Sequence, residues 1–377
     1  MPLAIVLTND WELFGDGSGD YFELQHKPLF ELFDVLSAND ARITLMAEVF
    51  QQWSYAAIAG SNPYAKEIEQ GWLEAVSETV RRKSDVQLHL HPQWLNARFD
   101  GGRWSLNMEN WSLSSLKSDV ISKIIADGKR YLEDTLRKID DGYRCIAFRA
   151  GAYCIQPEQP ILAALKKNGF IADVSVTKGL AAESYYDFKD ANSDLLPWHA
   201  SEENINKSSG NPSDILELPI HSFERNESQV LKKFFLDYYY KHFLKIPENE
   251  VRWQAEKERI KNIRYPVSHR YYKKYQNKGL KFYLSALYSR HLLQLDYDHL
   301  TPTEFLRALR NVLKRKEYQQ LDEQGVTLPL IASGHFKDMH NIQNLKTIIE
   351  LIVKEFKGKV AFMTLSEAVN YWKGLTF

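Results

Sequence analysis

Cysteine is nearly absent: Cys145 and Cys154 are the only two in 377 residues. The chain therefore reads as one that does not depend on disulfides, which fits a reducing compartment. No stretch approaches the roughly 20 consecutive apolar residues that a membrane-spanning helix needs. Net charge is also almost missing, since 48 Lys and Arg face 49 Asp and Glu for a formal −1. That balance excludes a protein whose whole surface is shaped for nucleic acid. Internal repeats and low-complexity tracts are lacking. The N-terminus has no signal-peptide character, because Met1 passes at once into Leu3-Ala4-Ile5-Val6-Leu7-Thr8 with no charged front. This run reads as a buried first strand, and the protein is expected to work in the cytoplasm.

What is present is a long chain with 44% hydrophobic residues, enough to bury a large core. Short apolar runs alternate with amphipathic stretches. Strands are expected at Leu3–Thr8, Ile43–Ala47, Val86–His91, Cys145–Phe148, Ile171–Val174, Ile215–Leu218, Val326–Ala332 and Val360–Thr364. Helices are expected at Pro28–Ala38, Ala65–Arg82, Leu116–Ile139, Glu158–Lys167, Asn341–Phe356 and Ser366–Trp372, with a turn or hairpin at Asp100-Gly101-Gly102. This alternation means parallel strands joined by crossover helices, and so many units point to an α/β barrel rather than an open sheet. Residues 225–320 break the pattern. They are rich in Tyr, Phe, Lys and Arg, as in Leu231-Lys232-Lys233-Phe234-Phe235 and Tyr271-Tyr272-Lys273-Lys274-Tyr275. They read as a helical insertion within a single domain spanning 1–377.

Loops at the C-terminal ends of parallel barrel strands build the active site. Those ends carry Asp10-Trp11-Glu12, His89-Leu90-His91, Arg149, Asp173 and His335. Asp10 and Glu12 lie two apart, so an extended segment points both to one side. One carboxylate could hold a metal while the other accepts a proton from water; equally, both could be solvated turn acids. His89 and His91 share that spacing and offer two imidazoles on one face, a favoured set for zinc and similar ions. Arg149 directly follows an apolar strand and either orients a carboxylate or forms a structural ion pair. His335 is a candidate general acid, with Lys337 and Asp338 nearby as orienting groups.

These residues resemble the motifs of the NodB-homology polysaccharide deacetylases, carbohydrate esterase family 4, over both ends of the chain but not over 225–320. Asp10-Trp11-Glu12 is similar to a first motif with a base and a metal-binding carboxylate. His89 and His91 are similar to the two metal-binding histidines. Phe148-Arg149-Ala150-Gly151-Ala152-Tyr153 reproduces a Phe-Arg-x-x-x-Tyr motif, and His335 suits the family's catalytic histidine. The resemblance implies a distorted (β/α)7-type barrel, a divalent metal, most often Zn2+, and removal of an acetyl group from a sugar. The chain departs from the family in two places. The second histidine usually stands four past the first, where this chain has Gln93, and the first motif reads Asn9-Asp10 rather than paired aspartates.

On that footing Glu12, His89 and His91 would hold the metal and Asp10 would act as base. Arg149 would keep Asp10 ionised, and His335 would protonate the leaving amine. Trp11, Trp94, Tyr153 and Asp173 are expected to face substrate. Trp104 and Trp198 are further aromatics suited to a sugar ring, although ordinary loop packing would account for each tryptophan equally. The expected partner is a carbohydrate, lipid-linked or nucleotide-linked among the options, and not a nucleic acid. The 225–320 segment either touches an anionic membrane surface peripherally or simply covers the barrel. Two other functions stay open, another amide hydrolase on the same barrel and a non-catalytic carbohydrate-binding protein.

Overall fold

The first strand, β1 (Leu3–Trp11), is buried at every position, as a parallel strand covered on both faces must be. In the computed structural model, residues 3–182, 185–224, 292–339 and 342–375 are described. The remaining strands of the main sheet are β2 (Ile43–Glu48), β3 (Asp85–Leu90), β4 (Ala147–Ala150), β5 (Ala172–Asp173), β6 (Trp198–His199), β7 (Leu216–Glu217), β8 (Pro329–Ala332) and β9 (Val360–Phe362). This 9-stranded sheet runs in the order β6-β7-β5-β4-β3-β2-β1-β8, with β9 also on β1. All pairings are parallel except that of β6 with β7.

Two features make the sheet a distorted barrel. Ala4 and Ile5 pair with both β8 and β9, while Leu7 pairs with both β8 and β2. Strands β9 and β2 therefore share one edge of β1, and the long first strand shifts partner along its length. Past β7, Ile220 bridges to Ile331 of β8 in parallel, and the His221 amide donates to the Ile331 carbonyl. That bridge brings the two ends of the sheet together with little regular pairing.

The helices lie outside the strands: α1 (Lys27–Ala38), α2 (Val49–Ile58), α3 (Pro63–Arg81), α4 (Ser118–Leu136), α5 (Gln159–Lys167), α6 (Pro302–Val312), α7 (Lys316–Glu323), α8 (Gln343–Glu355) and α9 (Leu365–Lys373). Several start at a local signal. Asn62 caps α3 ahead of Pro63, and Thr301 with Glu304 and Thr364 with Glu367 form capping boxes on α6 and α9. Apolar stripes such as Ile121, Ile125, Leu132 and Leu136 of α4 are buried inward. Among the described residues, no helix is long and apolar enough to cross a membrane.

The expected hairpin forms from Arg98–Asp100 and Arg103–Ser105, and its turn residues Gly101 and Gly102 have φ 53° and 78°. Helix α2 was not anticipated; it follows β2 directly, with Glu48 ending the strand and capping the helix. Most of the aromatic and basic segment, 225–291, lies outside the described residues, including the Leu231 and Tyr271 clusters. Its final part is described. There Leu292–Gln294 pairs antiparallel with Ser222–Glu224, and α6 and α7 follow.

Candidate active site

The rim at the C-terminal ends of the strands brings Asp10, Glu12, His89, His91, Arg149 and His335 together. Arg149 is the organiser. Its side chain is wholly buried, and its Nη1 pairs with Asp10 Oδ1 at 2.5 Å. Nη2 donates to Thr8 Oγ1 and Nε to the Val174 carbonyl, each at 2.9 Å. A guanidinium so fully engaged has little freedom to do anything but fix the base. Burial works against the charge of Asp10, but Arg149 and the neighbouring histidines overcome it and hold this carboxyl well below the usual range.

On the other side of Asp10, Oδ2 lies 3.4 Å from His335 Nε2. His335 Nδ1 lies 3.3 Å from Asp298, whose carboxylate also accepts from the His335 amide. Burial disfavours a charged imidazole here, yet the nearby carboxyls of Asp10 and Asp298 outweigh it and hold His335 well above its ordinary value. Asp298 in turn is pushed up to about 7 by burial and by the neighbouring Asp296. These two aspartates come from the last part of the segment read from sequence as a cover. They were missed because nothing in their local pattern marks a strand end.

Glu12, His89 and His91 form a second group, with one ligand atom of each within 4.8 Å of the others. His89 Nδ1 donates to the Arg149 carbonyl at 2.9 Å. A carbonyl can only accept, so Nε2 of His89 carries the lone pair, and burial lowers this histidine to about 4. Among the described residues neither His89 Nε2 nor His91 Nε2 has a hydrogen-bond partner in good geometry, although both are buried. His91 Nε2 comes within 2.7 Å of Glu12 Oε2, and His89 Nε2 within 3.8 Å. Two unpartnered imidazole nitrogens converging on a carboxylate fit a borderline divalent cation such as zinc.

Lys337, expected beside His335, instead donates to the other oxygen of Glu12 at 2.5 Å and to the Leu13 carbonyl. It thereby holds Glu12 with Oε2 turned to the histidines. Glu48, at the end of β2, was not singled out from sequence. Its Oε1 caps α2 through the Phe50 and Gln51 amides, and its Oε2 accepts from the His91 amide. The sequence signal was there, one residue beyond the expected strand end at Ala47.

Gly151 shows how close the packing is. A Cβ at this position would sit 2.6 Å from the Leu90 carbonyl oxygen and 2.8 Å from His91 Cγ. The next two residues, Ala152 and Tyr153, take φ 51° and 59°, a left-handed conformation that costs a non-glycine residue energy. Arg149 lies 6.0 Å from the Tyr153 ring, whose hydroxyl accepts from Gln294.

The expected substrate-facing groups divide. Tyr153 stays partly exposed at the rim. Trp11 is wholly buried between Tyr21 and Trp72, with its Nε1 on the Gln25 carbonyl, so it belongs to the core. Trp94 is 3% exposed and packs on Trp104. Trp198 is likewise buried. Stacking on a sugar does not go with the placement of Trp11 and Trp94, whose apolar rings were drawn into the loop core. Asp173 is buried beneath Arg149, where it accepts from Ser175 and neighbours Glu217. It supports the floor of the site without reaching its surface. The aromatic beside the histidines is Trp111, 6.2 Å from the ring of His91 and 6.2 Å from the exposed Tyr185.

No family model matches the chain, and neither does any curated protein. Solved structures similar to it include a Mycobacterium smegmatis protein described as a polysaccharide deacetylase, at 13% identity and TM-score 0.47, covering 100% of this chain and 92% of that one. A GH57-type branching enzyme from Pyrococcus horikoshii has 11% identity and TM-score 0.46, covering 100% of this chain and 72% of that one. Puue allantoinase has 10% identity and TM-score 0.41, covering 98% of this chain and 90% of that one. Similarity this distant carries nothing about chemistry, which has to come from the side chains themselves.

Proposed function

We propose that this chain is a cation-dependent hydrolase that removes an acetyl group, N-linked in the first instance, from a sugar. One observation carries the reading. Asp10 stands between Arg149 and His335, while two unpartnered imidazole nitrogens and Glu12 converge beside it. A base, an acid and a cation cradle thus share one rim.

Glu12, His89 and His91 would hold the ion, most simply zinc, which supplies Lewis-acid polarisation of an acyl oxygen and of water. Asp10 Oδ1 is held by Arg149, so Oδ2, which faces His335 Nε2 at 3.4 Å, is the atom that would take a proton from the attacking water. Arg149 keeps that carboxylate ionised and immobile. His335, protonated between two carboxylates, gives its proton to the departing amine as the carbon–nitrogen bond breaks. One water is consumed, and acetate and the free amine leave. Tyr153, at the rim, is placed to donate to the developing oxyanion. Trp111 and Tyr185 offer the aromatic surface that a sugar ring would stack on.

The test is metal content by mass spectrometry on wild type and His89→Ala, with acetate release from acetylated amino-sugar oligomers measured alongside. About one zinc per chain, lost together with acetate release in the variant, is the expected result. No metal after zinc supplementation and no acetate from any glycan tried would sink the mechanism and favour a binding protein. Acetate from a non-sugar amide alone would move the substrate class and leave the residue roles standing.

A further inference from the structure

We propose that Gln93 is a positioning residue whose side-chain amide lets His91 exchange ring tautomers, so that His91 binds Glu12 in the empty site and a cation in the loaded one. The inference rests on the proposed cation site. Its physical basis is the contrast between the two histidines. His89 Nδ1 faces the Arg149 backbone carbonyl, a group that only accepts, so His89 has a single tautomer. His91 Nδ1 faces the Gln93 amide, whose nitrogen lies 2.9 Å away. A primary amide donates at one end and accepts at the other, so either tautomer of His91 finds a partner there.

The surroundings make the amide the part that turns. The His91 backbone is tied to Glu48, and Gly151 packs directly against its ring. The Gln93 backbone is fixed as well, because Pro92 precedes it in a short 3-10 segment and its carbonyl accepts from Asn107. Gln93 itself is wholly buried, and its Oε1 has no hydrogen-bond partner. Among the described residues its nitrogen makes one other hydrogen bond, to the Gly15 carbonyl at 3.4 Å, so a half-turn of the amide gives up a long bond.

With the nitrogen presented, His91 Nδ1 accepts and Nε2 carries the hydrogen toward Glu12 Oε2, 2.7 Å away. With the oxygen presented, His91 Nδ1 donates to the otherwise orphaned Oε1 and Nε2 turns a lone pair toward Glu12. That second arrangement sets a lone pair against a carboxylate and would need the positive charge of a bound cation to be stable. Gln93, at the place where the resemblance led one to expect a ligand histidine, acts on the ligand beside it instead.

Zinc affinity is measured by competition with a chromophoric chelator, and ring tautomers by nitrogen–proton NMR on protein with labelled histidine. In wild type, His91 is expected to carry its hydrogen on Nε2 without zinc and on Nδ1 with one equivalent, while His89 keeps its hydrogen on Nδ1 throughout. Gln93→Leu, which offers neither donor nor acceptor, is expected to bind zinc about 10–100-fold more weakly. Gln93→Glu, which keeps an acceptor, is expected to restore most of that loss. An unchanged His91 tautomer on loading, or zinc binding by Gln93→Leu within about twofold of wild type, overturns the proposal and leaves the cation site intact. Absence of zinc binding by wild type overturns the site and the proposal together. If Gln93→Leu does not fold, the wild-type tautomers and Gln93→Glu decide.

Discussion

Replacing Arg149 by Met removes the one positive charge that touches Asp10 Oδ1 while keeping much of the side chain's volume. The pair is out of water, with Arg149 and Asp10 side chains 0% and 4% exposed. Breaking a buried pair from one side leaves an uncompensated charge, which costs about 3–5 kcal/mol. The bonds to Thr8 and Val174 are lost as well, which places the expectation toward the upper part of that range. Urea unfolding at pH 7 measures it. Asp10→Asn/Arg149→Met should be less damaged than the two single losses added, with a coupling on the order of 1–3 kcal/mol. The pH dependence has a definite sign. Asp10 is depressed from its ordinary 3.8 in the folded protein, so its contribution is fully present above that value and lost as pH falls through the folded one. In Arg149→Met the same buried carboxylate resists ionisation, and its penalty eases on protonation. The gap between wild type and variant therefore narrows from pH 7 to pH 5. A loss under about 1 kcal/mol, or strictly additive single variants, would refute the view that Arg149 exists to hold Asp10.

Gly334→Ala sets a Cβ 2.1 Å from the buried Tyr297 ring, whose hydroxyl meets the Thr8 carbonyl and the Asn9 amide. It should cost about 1–3 kcal/mol in urea unfolding and lower turnover by displacing Asp10. Gly151→Ala presses on the Leu90 carbonyl and the His91 ring, so it should weaken zinc binding in a chelator competition. Lys337→Met frees Glu12 Oε1 and should reduce metal content and acetate release together, whereas an unchanged zinc content would remove Lys337 from the cradle. At the opposite end of the barrel, burial pushes Asp85 up from 3.8 to about 6. A raised acid favours the fold below about pH 4, and that contribution is lost as pH rises through 6. The stability of wild type relative to Asp85→Asn should therefore fall by roughly 2–3 kcal/mol from pH 4 to pH 7. A difference that does not vary with pH refutes that assignment.

What could be read from the sequence, and what could not, follows from how local each signal is. The strand Leu3–Trp11 is buried throughout because both faces are covered; it opens on an apolar run, and its end is marked by its first ionisable residue, Asp10. Asp10, Glu12, His89, His91, Arg149 and His335 were read at such ends, and that placement, with the two-residue spacing of the two pairs, singled them out. Where each would point was not local information. Lys337 lies two residues from His335 in sequence but reaches Glu12, because Phe336–Asp338 forms a 3-10 turn that reverses its direction. Trp11 lies between two site carboxylates and yet faces the core, since alternation along an extended strand sends every second side chain to the opposite side. Asp296 and Asp298 gave no signal at all. They reach His335 because residues 294–298 bond to Ser333 and to the His335 amide, pairings between positions far apart in sequence. Sequence periodicity thus identifies what a strand delivers to the rim, while the partners that set each group's charge come from loops whose register only the assembled barrel fixes.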